Sequence, residues 1–141
     1  MNNKVLVVDD DATIRSILEH ILNSYDIKID VIRANNSAEA LEISSGDQFD
    51  VIFLDIKMPD GNGVDLIPQL KELQHEAIIC MVSAVYDNKE IKRSLDYGAV
   101  GYLKKPFTKN QVINLMKRFS QNSNNIDKGW PFAQLPNKEI Y

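Results

Sequence analysis

The sequence predicts a doubly wound α/β fold, five parallel strands alternating with five helices. Two observations carry this expectation. Short apolar runs rich in β-branched residues recur at 5–8, 51–54 and 78–82, each ended by a polar or charged residue, as in strands buried on both faces. Between them lie stretches with apolar residues at helical spacing, most clearly Ile14, Ile17, Leu18, Ile21 and Leu22. Strands alternating with helices through short loops imply a parallel sheet covered on both faces. Right-handed crossovers then place every strand's carboxyl end on one rim, where open α/β sheets build their sites.

Taken in order, Lys4–Val8 is the first strand, ended by Asp9, Asp10 and Asp11. The first helix follows directly, with Ile14 to Leu22 as its inward stripe. The more polar stretch 27–33 is a second strand, expected near an edge. Asn36 and Glu39 have capping-box spacing for a short helix over 37–45, before Gly46. The third strand, 51–54, ends on Asp55, and Pro59, Gly61 and Gly63 then force a loop. A third helix is expected over 64–73, with Leu66, Leu70 and Leu73 inward. Pro68 should make it begin late or kink. The fourth strand, 77–82, ends at Ser83. Asp87 and Glu90 form a second capping box, and Gly98 suits the stop of the fourth helix, whose apolar face is thin, mainly Ile91 and Leu95. The fifth strand, 100–104, ends at Lys105 and Pro106. Thr108 with Gln111 caps the last helix, where Val112, Leu115, Met116 and Phe119 point inward. This is a flavodoxin-like order of elements. Residues 1–120 make one domain. A tail, 121–141, follows, a polar linker leading to the apolar Trp130, Phe132 and Leu135.

Composition narrows the class. A chain of 141 residues suffices for one core. No apolar run approaches the roughly 20 residues that span a bilayer, and no signal-peptide pattern opens the chain. One cysteine, Cys80, lies in an apolar run and is expected to be a buried small hydrophobe, which suits a reducing cytoplasm. A net charge of −4 without a basic block disfavours nucleic acid as a partner.

The rim is where chemistry is expected. Asp9 and Asp10 follow the first strand, Asp55 the third, Ser83 the fourth and Lys105 the fifth. Singly, each has a bland explanation: a helix cap, a loop hydroxyl, a solvated lysine. Five of them at strand ends are harder to explain that way. Two carboxylates about 4 Å apart repel by roughly 4 kcal/mol at an effective dielectric of 20, so the cluster needs cations. Lys105 supplies one. A hard divalent ion with carboxylate, carbonyl and water ligands supplies the other, and Mg²⁺ fits that set. Zinc does not, because no His/Cys cluster exists, and neither His20 nor His75 has catalytic spacing. An aspartate beside Mg²⁺ and a lysine can act as a nucleophile toward phosphorus, with Ser83 donating to the new phosphoryl oxygens.

Four motifs carry a family resemblance: Val7-Val8-Asp9-Asp10-Asp11, Leu54-Asp55-Ile56-Lys57-Met58-Pro59, Met81-Val82-Ser83-Ala84 and Gly101-Tyr102-Leu103-Lys104-Lys105-Pro106-Phe107. In this order and spacing the chain closely resembles the receiver domain of two-component response regulators, of the single-domain, chemotaxis-regulator-like type, over about residues 4–119. The resemblance implies that Asp55 is the phosphoacceptor, and that Asp9, Asp10, Asp55 and the backbone carbonyl of Lys57 hold Mg²⁺. It makes Ser83 the switch hydroxyl, Tyr102 the switch aromatic and Lys105 the phosphate-contacting lysine, with Lys105–Pro106 often cis. A histidine kinase or phosphotransfer protein would donate the phosphoryl group. Ser83 would move toward it, Tyr102 would turn inward, and the face of the fourth helix, fifth strand and fifth helix would engage a downstream protein. Such a chain is a cytoplasmic phosphoacceptor that assists its own phosphorylation and dephosphorylation rather than an enzyme, and is a monomer or a phosphorylation-dependent dimer. Asn62 departs from the aspartate common at its position and is expected as a turn residue. Lys57 and an apolar Val85 flank the acceptor and point to slow self-dephosphorylation.

Three rivals are weaker. An aspartate-nucleophile phosphatase usually needs an acid two residues after the nucleophile, where Lys57 stands. A phosphorylation-independent module of this fold usually lacks an acid or the lysine. A flavin or nucleotide binder would carry a glycine-rich loop after the first strand, which here is acidic. A receiver fragment of a larger regulator remains an alternative. The tail's apolar residues are expected to dock on their own domain in preference to a partner.

Overall fold

The computed structural model describes residues 3–25, 28–84 and 87–121. Among these described residues seven strands and five helices follow in the order β1 (Lys4–Val8), α1 (Ala12–Asn23), β2 (Asp30–Ala34), α2 (Ser37–Gly46), β3 (Val51–Leu54), β4 (Lys57–Met58), β5 (Gly61–Asn62), α3 (Gly63–Leu73), β6 (Ile78–Ser83), α4 (Asn88–Asp96), β7 (Gly101–Lys104) and α5 (Lys109–Gln121). The main sheet is all parallel, ordered β2-β1-β3-β6-β7. The expected fold class stands, and β2 is an edge as its polarity suggested.

Alternation along the strands splits the core in two. Leu6, Val8, Ile52, Leu54, Ile79, Met81 and Tyr102 pack on one face under α2, α3 and α4. Val5, Val7, Val51, Phe53, Cys80, Val82 and Leu103 pack on the other under α1 and α5. Strands covered on both sides must be apolar at every position, which is why their sequence lacks a period of two.

Several expectations shift. The second strand begins at Asp30, opposite Lys4, and runs to Ala34; Ile27, its expected start, lies outside the described residues. The fourth strand extends one residue further, to Ser83, because Ser83 pairs with Lys104. Ile17 is 43% exposed: the sheet and α5 cover a stripe narrower than the sequence pattern, holding Leu18, Ile21 and Leu22. Leu73 is only half-buried. The third helix starts at Gly63 rather than late, with Pro68 inside it. Proline there forfeits the bond to the Val64 carbonyl, and the buried Val64, Leu66, Ile67 and Leu70 hold the helix nonetheless. The loop after Asp55 is not structureless: β4 and β5 form a two-stranded antiparallel hairpin, pairing Lys57 with Asn62.

The caps were largely legible. Thr108 and Gln111 exchange side-chain-to-backbone bonds at the start of α5. Asn36 accepts from the Glu39 amide at 2.8 Å, while the Glu39 carboxylate reaches the Asn35 amide instead of closing the box on Asn36. Asp87 caps α4 through the Lys89 amide, but Glu90 turns away to Asn62 and Arg93. Gly98, at φ 109°, follows α4 as its stop. The tail beyond Gln121, with Trp130, Phe132 and Leu135, lies outside the described residues.

Candidate functional site

Strand pairing builds the site. The Asp9 amide donates to the Ala34 carbonyl and the Asp55 amide to that of Val8. The ladder thus runs one residue past β1 and β3 and leaves both carboxylates side by side on the rim. Asp9 and Asp55 are 1% and 5% exposed, whereas Asp10 is open to solvent. One carboxylate oxygen from each of Asp9, Asp10 and Asp55 lies within 4.8 Å of the others. Asp11 leaves this group to cap α1 through the Thr13 amide.

The Lys105 amide donates to the Ser83 carbonyl, and the Lys105–Pro106 bond is cis. Lys105 Nζ lies 2.7 Å from Asp9 Oδ2 and 3.4 Å from Asp55 Oδ2. Burial works against its charge, but the Asp9 contact and the field of Asp55 outweigh it and hold its pKa above the ordinary value. Asp55 moves the other way. Desolvation, then the Asp9 charge, push its carboxyl up to about 6, although Lys105 pulls against them. The carboxylate is thus more basic than usual yet ionised at neutral pH, as a nucleophile requires. Ser83 and Tyr102 are buried on the same face, and their hydroxyls share a hydrogen bond; burial pushes the Tyr102 phenol up to about 12. Tyr102 is therefore already inward here. Asp10, Asp11, Asp55, Lys57, Ser83, Ala84 and Lys105 line an open cleft of about 600 Å³. The Lys57 side chain is exposed at its edge, and Val85 lies outside the described residues.

The acidic group fits a hard divalent cation. Its donors are carboxylate oxygens, the ligand class such ions select. Asp9 Oδ2 is buried and accepts no hydrogen bond of good geometry from the described residues, despite the nearby Lys105 ammonium.

Four supporting residues were not foreseen. A Cβ on Gly63 would stand 1.9 Å from the Asp55 carbonyl oxygen, so the start of α3 presses on the Asp55 backbone and only glycine fits. Asp60 accepts from the Ser37 and Ala38 amides, tying the hairpin to the α2 N-terminus. The Arg15 guanidinium donates to the Asp9 carbonyl at 2.6 Å. Asn62 is more than a turn residue: it caps α3 through the Val64 amide and donates to Glu90. Gly61 and Gly63, expected to force a loop, instead lie in β5 and at the start of α3; the contacts of Asp60 with α2 and of Asn62 with Glu90 span more than twenty residues and leave no local signal.

Comparison with known proteins agrees with this geometry. The family model described as "Response regulator receiver domain" matches residues 5–117. The sensory transduction protein LytR of Staphylococcus epidermidis is 33% identical over 128 residues, covering 89% of this chain and 50% of that protein. Sporulation initiation phosphotransferase F of Bacillus subtilis is 27% identical over 119 residues, covering 84% of this chain and 94% of that one. The solution structure of the beryllofluoride-activated NtrC4 receiver domain dimer superposes with a TM-score of 0.79 at 29% identity, covering 86% and 98% of the two chains. The chain spans about half the length of the LytR relatives it matches.

Proposed function

The chain belongs to the response regulator receiver family, with Asp9, Asp10 and Asp55 as its acidic phosphorylation site, and on that premise we propose that Asp55 accepts a phosphoryl group from a histidine kinase or phosphotransfer protein. The observation that carries this is the Asp55 carboxyl, buried at a strand end between Asp9 and Lys105 and open to one cleft.

A carboxylate oxygen of Asp55 attacks phosphorus. The new O–P bond replaces the donor's P–N bond, and the leaving imidazole takes a proton from solvent. Asp9, Asp10, Asp55 and the Lys57 carbonyl would hold Mg²⁺, which when bound supplies positive charge opposite the transferring oxygens. Lys105 stands where its ammonium can exchange carboxylate contacts for a phosphoryl oxygen. Ser83 donates its hydroxyl to the phosphoryl group, and the Tyr102 ring fills the space behind it. The inward Tyr102, bonded to Ser83, supports a two-state element in which phosphorylation selects one arrangement. The output is a protein contact on the face of α4, β7 and α5. Phosphorylation-dependent pairing of two copies is the second possibility, since the NtrC4 receiver is a dimer when activated. No described helix is long and apolar enough to cross a membrane, and the cytoplasm is the proposed compartment.

The deciding experiment follows intact mass during incubation with a small-molecule phosphodonor, with and without Mg²⁺. A Mg²⁺-dependent phosphoryl adduct that Asp55→Asn lacks is expected. Failure to form the adduct, together with failure to bind beryllofluoride, would move the chain to a phosphorylation-independent interaction module.

A further inference from the structure

We propose that Asn62 is a positioning residue that latches α4 to the loop following the acceptor, and that this latch belongs to the arrangement with Tyr102 inward. Both ends of its carboxamide are committed. Oδ1 accepts from the Val64 amide at 2.8 Å, capping α3. That bond fixes the amide's orientation, so Nδ2 faces α4 and donates to Glu90 Oε2 at 2.9 Å. Glu90 Oε1 in turn takes Arg93 Nη1 at 2.6 Å, and the other arm of Arg93 returns to Asp65 in the first turn of α3. The Arg93 guanidinium also lies 5.9 Å over the Tyr97 ring. The circuit therefore starts at the α3 cap, crosses to α4 and comes back to α3.

Two features give the latch leverage. At its near end the chain is rigid: the Gly63 amide donates to the Ile56 carbonyl at 2.6 Å, and Gly63 presses on the Asp55 carbonyl. Movement of the acceptor backbone must move the Asn62 cap. At the far end the described residues give α4 a thin apolar anchor. Its contribution to the core among them is Ile91 and the half-buried Leu95, so charge-assisted bonds, stronger than neutral ones, carry a large share of that attachment. The residue type matters. An aspartate would cap α3 equally well, but it has no donor for Glu90 and would set two carboxylates against each other. Coupling is reciprocal: if the latch favours one arrangement, breaking it must weaken whatever selects that arrangement.

The test compares wild type, Asn62→Asp and the double variant Asn62→Asp/Glu90→Gln. The double variant restores a donor–acceptor pair with the roles exchanged and returns the net charge to that of wild type. Hydrogen exchange in metal-free buffer reads the latch without any phosphoryl chemistry. Amides of 88–97 should exchange about tenfold faster in Asn62→Asp, the scale of one lost charge-assisted hydrogen bond, with those of β1 and β3 unchanged and rates recovered in the double variant. Beryllofluoride affinity with Mg²⁺ reads the coupling, and should fall about tenfold and recover likewise. Unchanged exchange in Asn62→Asp, or no recovery in the double variant, would overturn the latch. Altered exchange with unaltered beryllofluoride affinity would overturn its coupling to the site. The coupling rests on Asp55 as acceptor. Failure of that reading would look different: wild type itself would not bind beryllofluoride, while the exchange rates would still decide the latch.

Discussion

Replacing Asp55 by asparagine should make the metal-free protein more stable while abolishing phosphorylation. The folded-state pKa of Asp55 is raised from the ordinary 3.8 to about 6, by desolvation first and by Asp9 second. A native state that holds the proton more tightly is most stable below the unfolded pKa, and loses that stability as pH rises through the folded one. The loss therefore falls between about pH 4 and pH 6. At 1.36 kcal/mol per pH unit the full rise is worth about 3 kcal/mol. Asp55 faces an open cleft whose water screens it, so we take about 1–2 kcal/mol. In chelator at pH 7.5, Asp55→Asn should exceed wild type by that amount, an increase in Tm of about 3–10 °C. The gap should close near pH 4, where wild type has regained its proton. Saturating Mg²⁺ should narrow it at pH 7.5, since a ligand at 100 times its Kd stabilises the native state by about 2.7 kcal/mol. Thermal and urea unfolding at the two pH values measure all three quantities. A variant less stable than wild type at pH 7.5 in chelator, or a gap identical at pH 4 and pH 7.5, would refute the claim that a desolvated, crowded carboxylate is kept here at a cost in stability.

Other outcomes follow from the same geometry. Lys105→Met removes the ammonium between Asp9 and Asp55 and should cost about 1–3 kcal/mol in chelator; because the lysine and the metal compete for the same charge, Mg²⁺ should bind this variant more tightly by calorimetry. Gly63→Ala drives a methyl into the Asp55 carbonyl and should cost about 3 kcal/mol in urea unfolding, with a lower phosphorylation rate in whatever folds. The aspartyl-phosphate formed in purified protein should persist for minutes or longer, since Lys57 sits at the cleft edge and Val85 has no group to orient a hydrolytic water; a lifetime of seconds would contradict this.

Much of the fold was legible because its determinants are local. Four apolar residues before Asp55 cannot be anything but buried on both faces, and the Thr108–Gln111 exchange is written in adjacent residue types. The misses are of another kind. Ile17 fits the helical stripe, yet the width of the stripe that α5 and the sheet cover is a property of neighbours. Glu90 has the spacing to close a capping box on Asp87 but finds a better donor 28 residues away, in Asn62. Pro68 was expected to make α3 begin late or kink; the helix does not begin late, because burial of Val64, Leu66, Ile67 and Leu70 outweighs one missing hydrogen bond.

The sequence by itself determined which residues stand at the rim. Strand ends are set by where apolar runs stop, and parallel connection sends all those ends the same way, so Asp9, Asp10, Asp55, Ser83 and Lys105 had to share an edge. Only the tertiary structure decided how they are paired and supported: Lys105 closer to Asp9 than to Asp55, Asp11 turned to cap α1, Gly63 against the Asp55 backbone, Asp60 on α2 and Asn62 on α4. Those distances depend on how helices seat on the sheet, which is fixed by packing between residues far apart in the chain.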